Sequence, residues 1–154
     1  MINNLKDLKD FKLAGVDTDG KETAFNLADY VGQNVVIYFY PKDNTPGCTQ
    51  EACDFRDNIN RLTGKAIVFG VSADSVKSHI GFKQKHDINF ALISDGDKQL
   101  AQAFGVWAQK SFLGKKYMGI VRSTFLFDKT GALAKEWREV KVKGHVDEVL
   151  ASLK

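Results

Sequence analysis

The stretch VVIYFYPKDNTPGCTQEACDFRD, Val35 to Asp57, decides the fold. Val35 to Tyr40 is an unbroken β-branched and aromatic run, the pattern of a central strand buried on both faces. Pro41 cannot donate to a sheet ladder and stops the strand. Thr45 is placed to cap a helix, and Pro46 suits the first helical position, where a missing N–H is no loss. Ala52, Phe55, Ile59 and Leu62 then recur at spacings of three and four, which gives that helix one apolar stripe. The chain therefore passes from buried β-structure into α-structure across one short loop, with Cys48 in the first turn of the helix.

Working outward, Ala66 to Ser72 reads as a second buried strand and Phe90 to Ser94 as a short third one. Between them Ser75 to about Lys85 is an amphipathic helix. On the N-terminal side, strands near Phe11 to Val16 and Thr23 to Phe25 flank the Asp19-Gly20 turn signal, and Leu27 to Val31 is a helical turn. On the C-terminal side, Asp97 to Phe104 is a helix closed by Gly105. Ser123 to Asp128 and Ala132 to Glu139 form a hairpin around DKTG, and a helix from about His145 to Leu153 ends the chain. Strands alternating with helices, framed by two hairpins, predict an α/β protein: a central mixed sheet flanked by helices, of the thioredoxin-like kind, with an N-terminal β-hairpin. The 154 residues suit one domain, 1–154, and 44% apolar residues suffice for its core.

The charge of +3 is small and its basic residues are scattered, which argues against nucleic acid or an anionic membrane as partner. No apolar run approaches the roughly 20 residues of a spanning helix. The polar start MINNLKDLKDFKL lacks the apolar core of a secretory signal, so the expected location is the cytoplasm. In that compartment a pair of cysteines is catalytic, redox-active or inert rather than a structural framework.

A thiolate, not a thiol, is the nucleophile, and at an unperturbed pKa near 8.5 only about 3% of a thiol is ionised at pH 7. The unpaired N–H groups and positive dipole end of a helix favour the anion. Cys48 sits where that stabilisation acts. Cys53 lies five positions on. In an ideal helix that separation puts the two Cα atoms about 8.6 Å apart, whereas a disulfide needs them within about 7 Å. The two sulfurs can bond only if the first turns unwind. Taken alone, the spacing equally admits Cys53 as a helix residue beside the apolar stripe. Arg122, taken alone, reads as a surface arginine at the start of a strand. Glu51 reads as a solvated charge near the helix start, and His145 as a cap or surface residue of the last helix. A structural zinc is disfavoured, because Cys48, Cys53, His79, His86 and His145 have no ligand-like spacing. No organic cofactor is implied: Gly64-Lys65 lacks the preceding phosphate-loop pattern, and no G-x-G-x-x-G follows a strand.

At these residues the sequence resembles the peroxiredoxins, in particular the bacterioferritin comigratory protein (PrxQ) subgroup. The family pattern Pro-x-x-x-Thr-x-x-Cys is matched by Pro41, Thr45 and Cys48, the subgroup's later cysteine by Cys53 in GCTQEACDFRD, and the distal arginine by Arg122 in GIVRSTFLFD. The likeness continues through VFGVSADSVKSH, LISDGD, FGVW and VKVKGHVDEVL; one departure is Lys9-Asp10-Phe11, where the family commonly has Pro-Asp-Phe. The resemblance implies a thiol peroxidase. Cys48 would attack a hydroperoxide and Cys53 would resolve the sulfenic acid as an intrachain disulfide. Arg122 would stabilise the thiolate and hold the peroxide oxygens, Thr45 would hydrogen-bond the peroxide, and Pro41 would shield the sulfenate. It also implies thioredoxin, or a glutaredoxin, as reductant. An intrachain partner for Cys48 favours a monomer. Two other readings share the unwinding helix: a redox-sensing or holdase-like binding protein, and a thiol–disulfide oxidoreductase acting without peroxide.

Overall fold

The computed structural model describes residues 2–62 and 64–153. In chain order the elements are β1 (Leu13–Val16), β2 (Glu22–Phe25), β3 (Val35–Phe39), α1 (Pro46–Asp57), α2 (Ile59–Leu62), β4 (Ile67–Ser72), α3 (Val76–His86), β5 (Ala91–Ser94), α4 (Gln99–Ala103), β6 (Trp107–Phe112), β7 (Lys115–Ile120), β8 (Ser123–Phe127), β9 (Leu133–Trp137) and α5 (His145–Ala151). Two 3₁₀ turns, Leu5–Leu8 and Leu27–Tyr30, complete the set.

Seven strands form one sheet in the order β2-β1-β5-β4-β3-β8-β9. β3 pairs parallel with β4, and β4 parallel with β5; β3 with β8, β8 with β9, β1 with β2 and β1 with β5 are antiparallel. The expected mixed sheet and N-terminal hairpin are both present. β3 is buried along all five residues because it lies between β4 and β8 with a packed layer on each face. Strand alternation divides its side chains. Val35, Ile37 and Phe39 join one core with Phe69, Phe104 and Phe125, whereas Val36, Tyr38 and Tyr40 join the other with Phe55, Phe82 and Val149. The second core is the one roofed by α1, so the strand that ends at the loop also packs beneath the cysteine helix.

Several boundaries differ from the sequence reading for local reasons. The stripe Ala52–Phe55–Ile59–Leu62 is divided between two helices. At Asn58 the backbone leaves helical geometry (φ −108°, ψ 6°) and the Asn58 amide donates 2.7 Å to the Asp54 carbonyl, which ends α1. α4 starts only at Gln99, because Lys98 takes a left-handed conformation (φ 61°) and the Asp95 carboxylate accepts the N–H groups of Leu100 and Ala101 at 3.0 and 2.8 Å. The last helix stops at Ala151, short of Leu153. β6 and β7 form a separate two-stranded ribbon that the sequence reading left unassigned. Its strands are largely exposed, with Phe112 and Leu113 facing solvent at its tip, so no burial alternation marked it. The turn Leu5–Leu8 was likewise unassigned, although Asn4 and Asp7 form a capping box there. Among the described residues, no helix is long and apolar enough to cross a membrane.

Candidate active site

β3 brings the chain to Tyr40, and Pro41 to Thr45 form the loop that leads into α1. Thr45 holds the N-cap backbone geometry (φ −86°, ψ 152°), with Pro46 as the first helical residue. Its side chain does not cap. The hydroxyl donates instead to the Lys42 carbonyl at 2.8 Å, which ties the loop across its own turn. The first ladder bond of the helix is Thr49 N–H to the Thr45 carbonyl at 2.8 Å. The N–H groups of Gly47 and Cys48 precede that bond and point out of the helix start.

Cys48 is a free thiol, 1% exposed, on the core side of α1. Arg122, between β7 and β8, reaches it: the guanidinium Nη2 donates to the sulfur at 3.3 Å. The same guanidinium donates through Nη1 to Glu51 Oε1 at 2.6 Å. Gly47 leaves the room for this, since a Cβ at that position would stand 3.2 Å from Arg122 Nη2. The backbone of Arg122 is held by its carbonyl accepting from Val140 N–H at 2.9 Å, and its neighbour Val121 donates to Val106 at 2.8 Å. Burial works against the charge on Arg122, but Glu51 and Cys48 outweigh it and raise its pKa. The group is a permanent cation.

Glu51 corrects the sequence reading. It is fully buried rather than solvated, and among the described residues its Oε2 has no hydrogen-bond partner. Burial raises its pKa to about 7, against the lowering effect of Arg122. The spacing held the signal: Glu51 is three residues after Cys48, and residues at i and i+3 share a helix face. His145 is a second correction. It is buried, with Nε2 2.7 Å from the Thr124 hydroxyl and its ring edge-on to Trp137, and burial lowers its pKa to about 4. Gly144, not His145, stands at the N-cap of α5.

Cys53 is a half-buried free thiol in the same intact helix. Pro41 stands two residues beyond the end of β3 and is partly exposed. The fold thus brings Arg122 onto Cys48 from the far end of the sequence, and holds Thr45, Cys48 and Cys53 on one loop-helix unit. Among the described residues, no group of three His, Cys, Asp or Glu side chains is arranged to hold a metal ion.

A cysteine in the first turn of a helix, faced by a guanidinium at the ends of the central strands of a thioredoxin-like sheet, suits a thiol-dependent peroxidase. The chain belongs to the AhpC/TSA family, whose model matches residues 5–136. It is 54% identical to the peroxiredoxin Bcp of Bacillus subtilis, over 94% of this chain and 90% of that one. Identity to the peroxiredoxin Bcp of Escherichia coli K12 is 45%, over 90% and 88% of the two chains. The structure of the Xanthomonas campestris bacterioferritin comigratory protein, described for its alkyl peroxide reduction activity, superposes with a TM-score of 0.89 at 42% identity, covering 99% of this chain and 95% of that one. A Plasmodium vivax 2-Cys peroxiredoxin shares the fold at a TM-score of 0.78 and 24% identity.

Proposed function

We propose that the protein reduces hydrogen peroxide and organic hydroperoxides through Cys48, with Cys53 as the resolving thiol. The observation that carries this reading is the 3.3 Å contact between the Arg122 guanidinium and the Cys48 sulfur at the start of α1. The Cys48 thiolate attacks the terminal oxygen of ROOH. The O–O bond breaks, an S–O bond forms, and the departing alkoxide takes a proton to leave as ROH, or as water from hydrogen peroxide. Cys48 is left as a sulfenic acid. Negative charge moves from sulfur onto the leaving oxygen, so a fixed cation beside both positions lowers the barrier more than it stabilises the resting state. Arg122 has that position, and the Gly47 and Cys48 N–H groups add donors. Thr45 orients the peroxide through its hydroxyl. Pro41 shields the sulfenate from water. The near-complete burial of Cys48 favours attack at the outer oxygen of the substrate.

Cys53 then attacks the sulfenic sulfur and expels water, closing a disulfide within one chain. An external dithiol reopens it by exchange. Thioredoxin is the proposed reductant, with glutaredoxin as the competitor. The chain acts as a single domain, as a monomer, in the cytoplasm.

Peroxide consumption coupled to thioredoxin, its reductase and NADPH tests the reading. Turnover well above the reaction of peroxide with a free thiol is expected. Turnover no faster than that background, with the disulfide still forming, would leave a redox sensor rather than an enzyme. Substituting glutaredoxin and glutathione in the same assay separates the two reductants.

A further inference from the structure

A second polar cluster gathers around the same loop, built from residues other than those of the Cys48–Arg122 contact. Its centre is Asp43, in the middle of the loop yet buried. One carboxylate oxygen accepts the Tyr40 hydroxyl at 2.6 Å. The other accepts the Ser78 hydroxyl at 2.8 Å and lies 2.7 Å from His79 Nδ1. The loop backbone is held too, since Asp43 N–H donates to Asp74 Oδ2 at 2.8 Å.

His79 is fully buried on α3, and its remaining nitrogen, Nε2, lies 2.9 Å from the Ile93 carbonyl of β5. A carbonyl oxygen cannot donate, so Nε2 carries a hydrogen. One hydrogen then lies between Nδ1 and the Asp43 carboxyl group, which also accepts the two hydroxyls. The cluster fixes geometry: a carboxyl group tied to three partners has one low-energy position. What it fixes is the loop. Asp43 directly follows Lys42, whose carbonyl receives the Thr45 hydroxyl at 2.8 Å. Hydrogen bonds thus tie β5 to His79 and His79 to the Asp43 side chain, and the Lys42–Asp43 backbone carries that anchor to the Thr45 hydroxyl.

We propose that His79 and Asp43 are positioning residues for peroxide reduction, which hold the Lys42 carbonyl and through it the Thr45 hydroxyl in register for the substrate. The proposal rests on the role of Thr45 given above. Its signature is selectivity: loss of the pair slows attack on peroxide, which needs an oriented hydroxyl, but not alkylation of Cys48, which needs only the thiolate.

The test uses the full chain in a Cys53→Ser background, so that Cys48 is the one thiol read. Stopped-flow fluorescence follows oxidation by hydrogen peroxide, and iodoacetamide labelling follows alkylation. Asp43→Ala is expected to slow peroxide oxidation about tenfold or more while alkylation stays within about twofold, since small misplacements of an orienting group cost that much or more. Asp43→Ala combined with Thr45→Val should be no slower than Thr45→Val alone. Should Asp43→Ala fail to give native circular dichroism, Asp43→Asn keeps the side-chain volume and reads the same two rates. Equal loss of both rates, an unchanged peroxide rate, or additive losses in the double variant would overturn the proposal while leaving Thr45 in place. A Thr45→Val protein with wild-type peroxide reactivity would remove the Thr45 role itself, and this proposal with it.

Discussion

The Arg122 guanidinium and the Cys48 sulfur, 74 positions apart in sequence, stand 3.3 Å apart in the fold. The contact exists because β3 and β8 are neighbours in the sheet: one strand leads into the cysteine loop, and the other begins just after the arginine. The same guanidinium also holds Glu51, so thiol and carboxylate share one cation.

Replacing the cation tests its weight. Arg122→Ala is expected to slow oxidation of Cys48 by hydrogen peroxide on the order of 10²-fold, the usual cost of removing one preorganised donor from a developing negative charge. Because this change also strands the buried Glu51 carboxylate, Arg122→Met paired with Glu51→Gln separates the chemical loss from the folding loss. Rates by stopped-flow fluorescence and stabilities by urea titration supply the two measurements. A rate unchanged in both proteins would leave Arg122 a structural residue.

Glu51 makes stability depend on pH. Its folded pKa is raised to about 7 by burial, from an ordinary carboxylic value of 4.5. A raised pKa means the native state prefers the protonated form. The associated stability is fully present below pH 4.5 and is lost as pH rises through about 7. Urea denaturation at pH 5 and pH 8 should show Glu51→Gln gaining on the wild type by about 2–3 kcal/mol between those values. Parallel curves would place the carboxylate in a less costly setting.

His145 gives the opposite slope. Burial depresses its pKa to about 4 from 6.5. The native state resists protonation, so this contribution is present above pH 6.5 and is lost as pH falls toward 4. The Thr124 hydroxyl at 2.7 Å from Nε2 is the partner left behind on substitution. In His145→Gln the fall in melting temperature between pH 7 and pH 5 should be smaller than in the wild type, by differential scanning calorimetry.

The resolving step requires α1 to open. Both thiols sit in one intact helix, where ideal geometry keeps positions five apart too distant to bond. After one equivalent of peroxide, mass spectrometry should find Cys48 and Cys53 linked within one chain. Amide hydrogen exchange of the oxidised protein should then be faster across Pro46–Asp57 than in the reduced protein, with β3 and β4 unchanged. In Cys53→Ser the exchange pattern should stay that of the reduced form, and thioredoxin-linked cycling should be lost. An oxidised helix as protected as the reduced one would exclude this disulfide.

What could be read along the chain were the features written in near neighbours. The run Val35 to Tyr40, the proline after it, the extended Thr45 and the cysteine in the first helical turn are local, and backbone sterics and side-chain periodicity impose them wherever the segment lies. The ribbon β6–β7 escaped because exposed strands carry no alternation of burial. The end of α1 escaped because one asparagine amide outcompeted the helix ladder. Burial of His145, the His79–Asp43 pair, and the approach of Arg122 to Cys48 depend on which strands become neighbours and which helix covers them. Those are long-range choices, settled when the whole sheet closes over its two cores, and no spacing within a single segment encodes them.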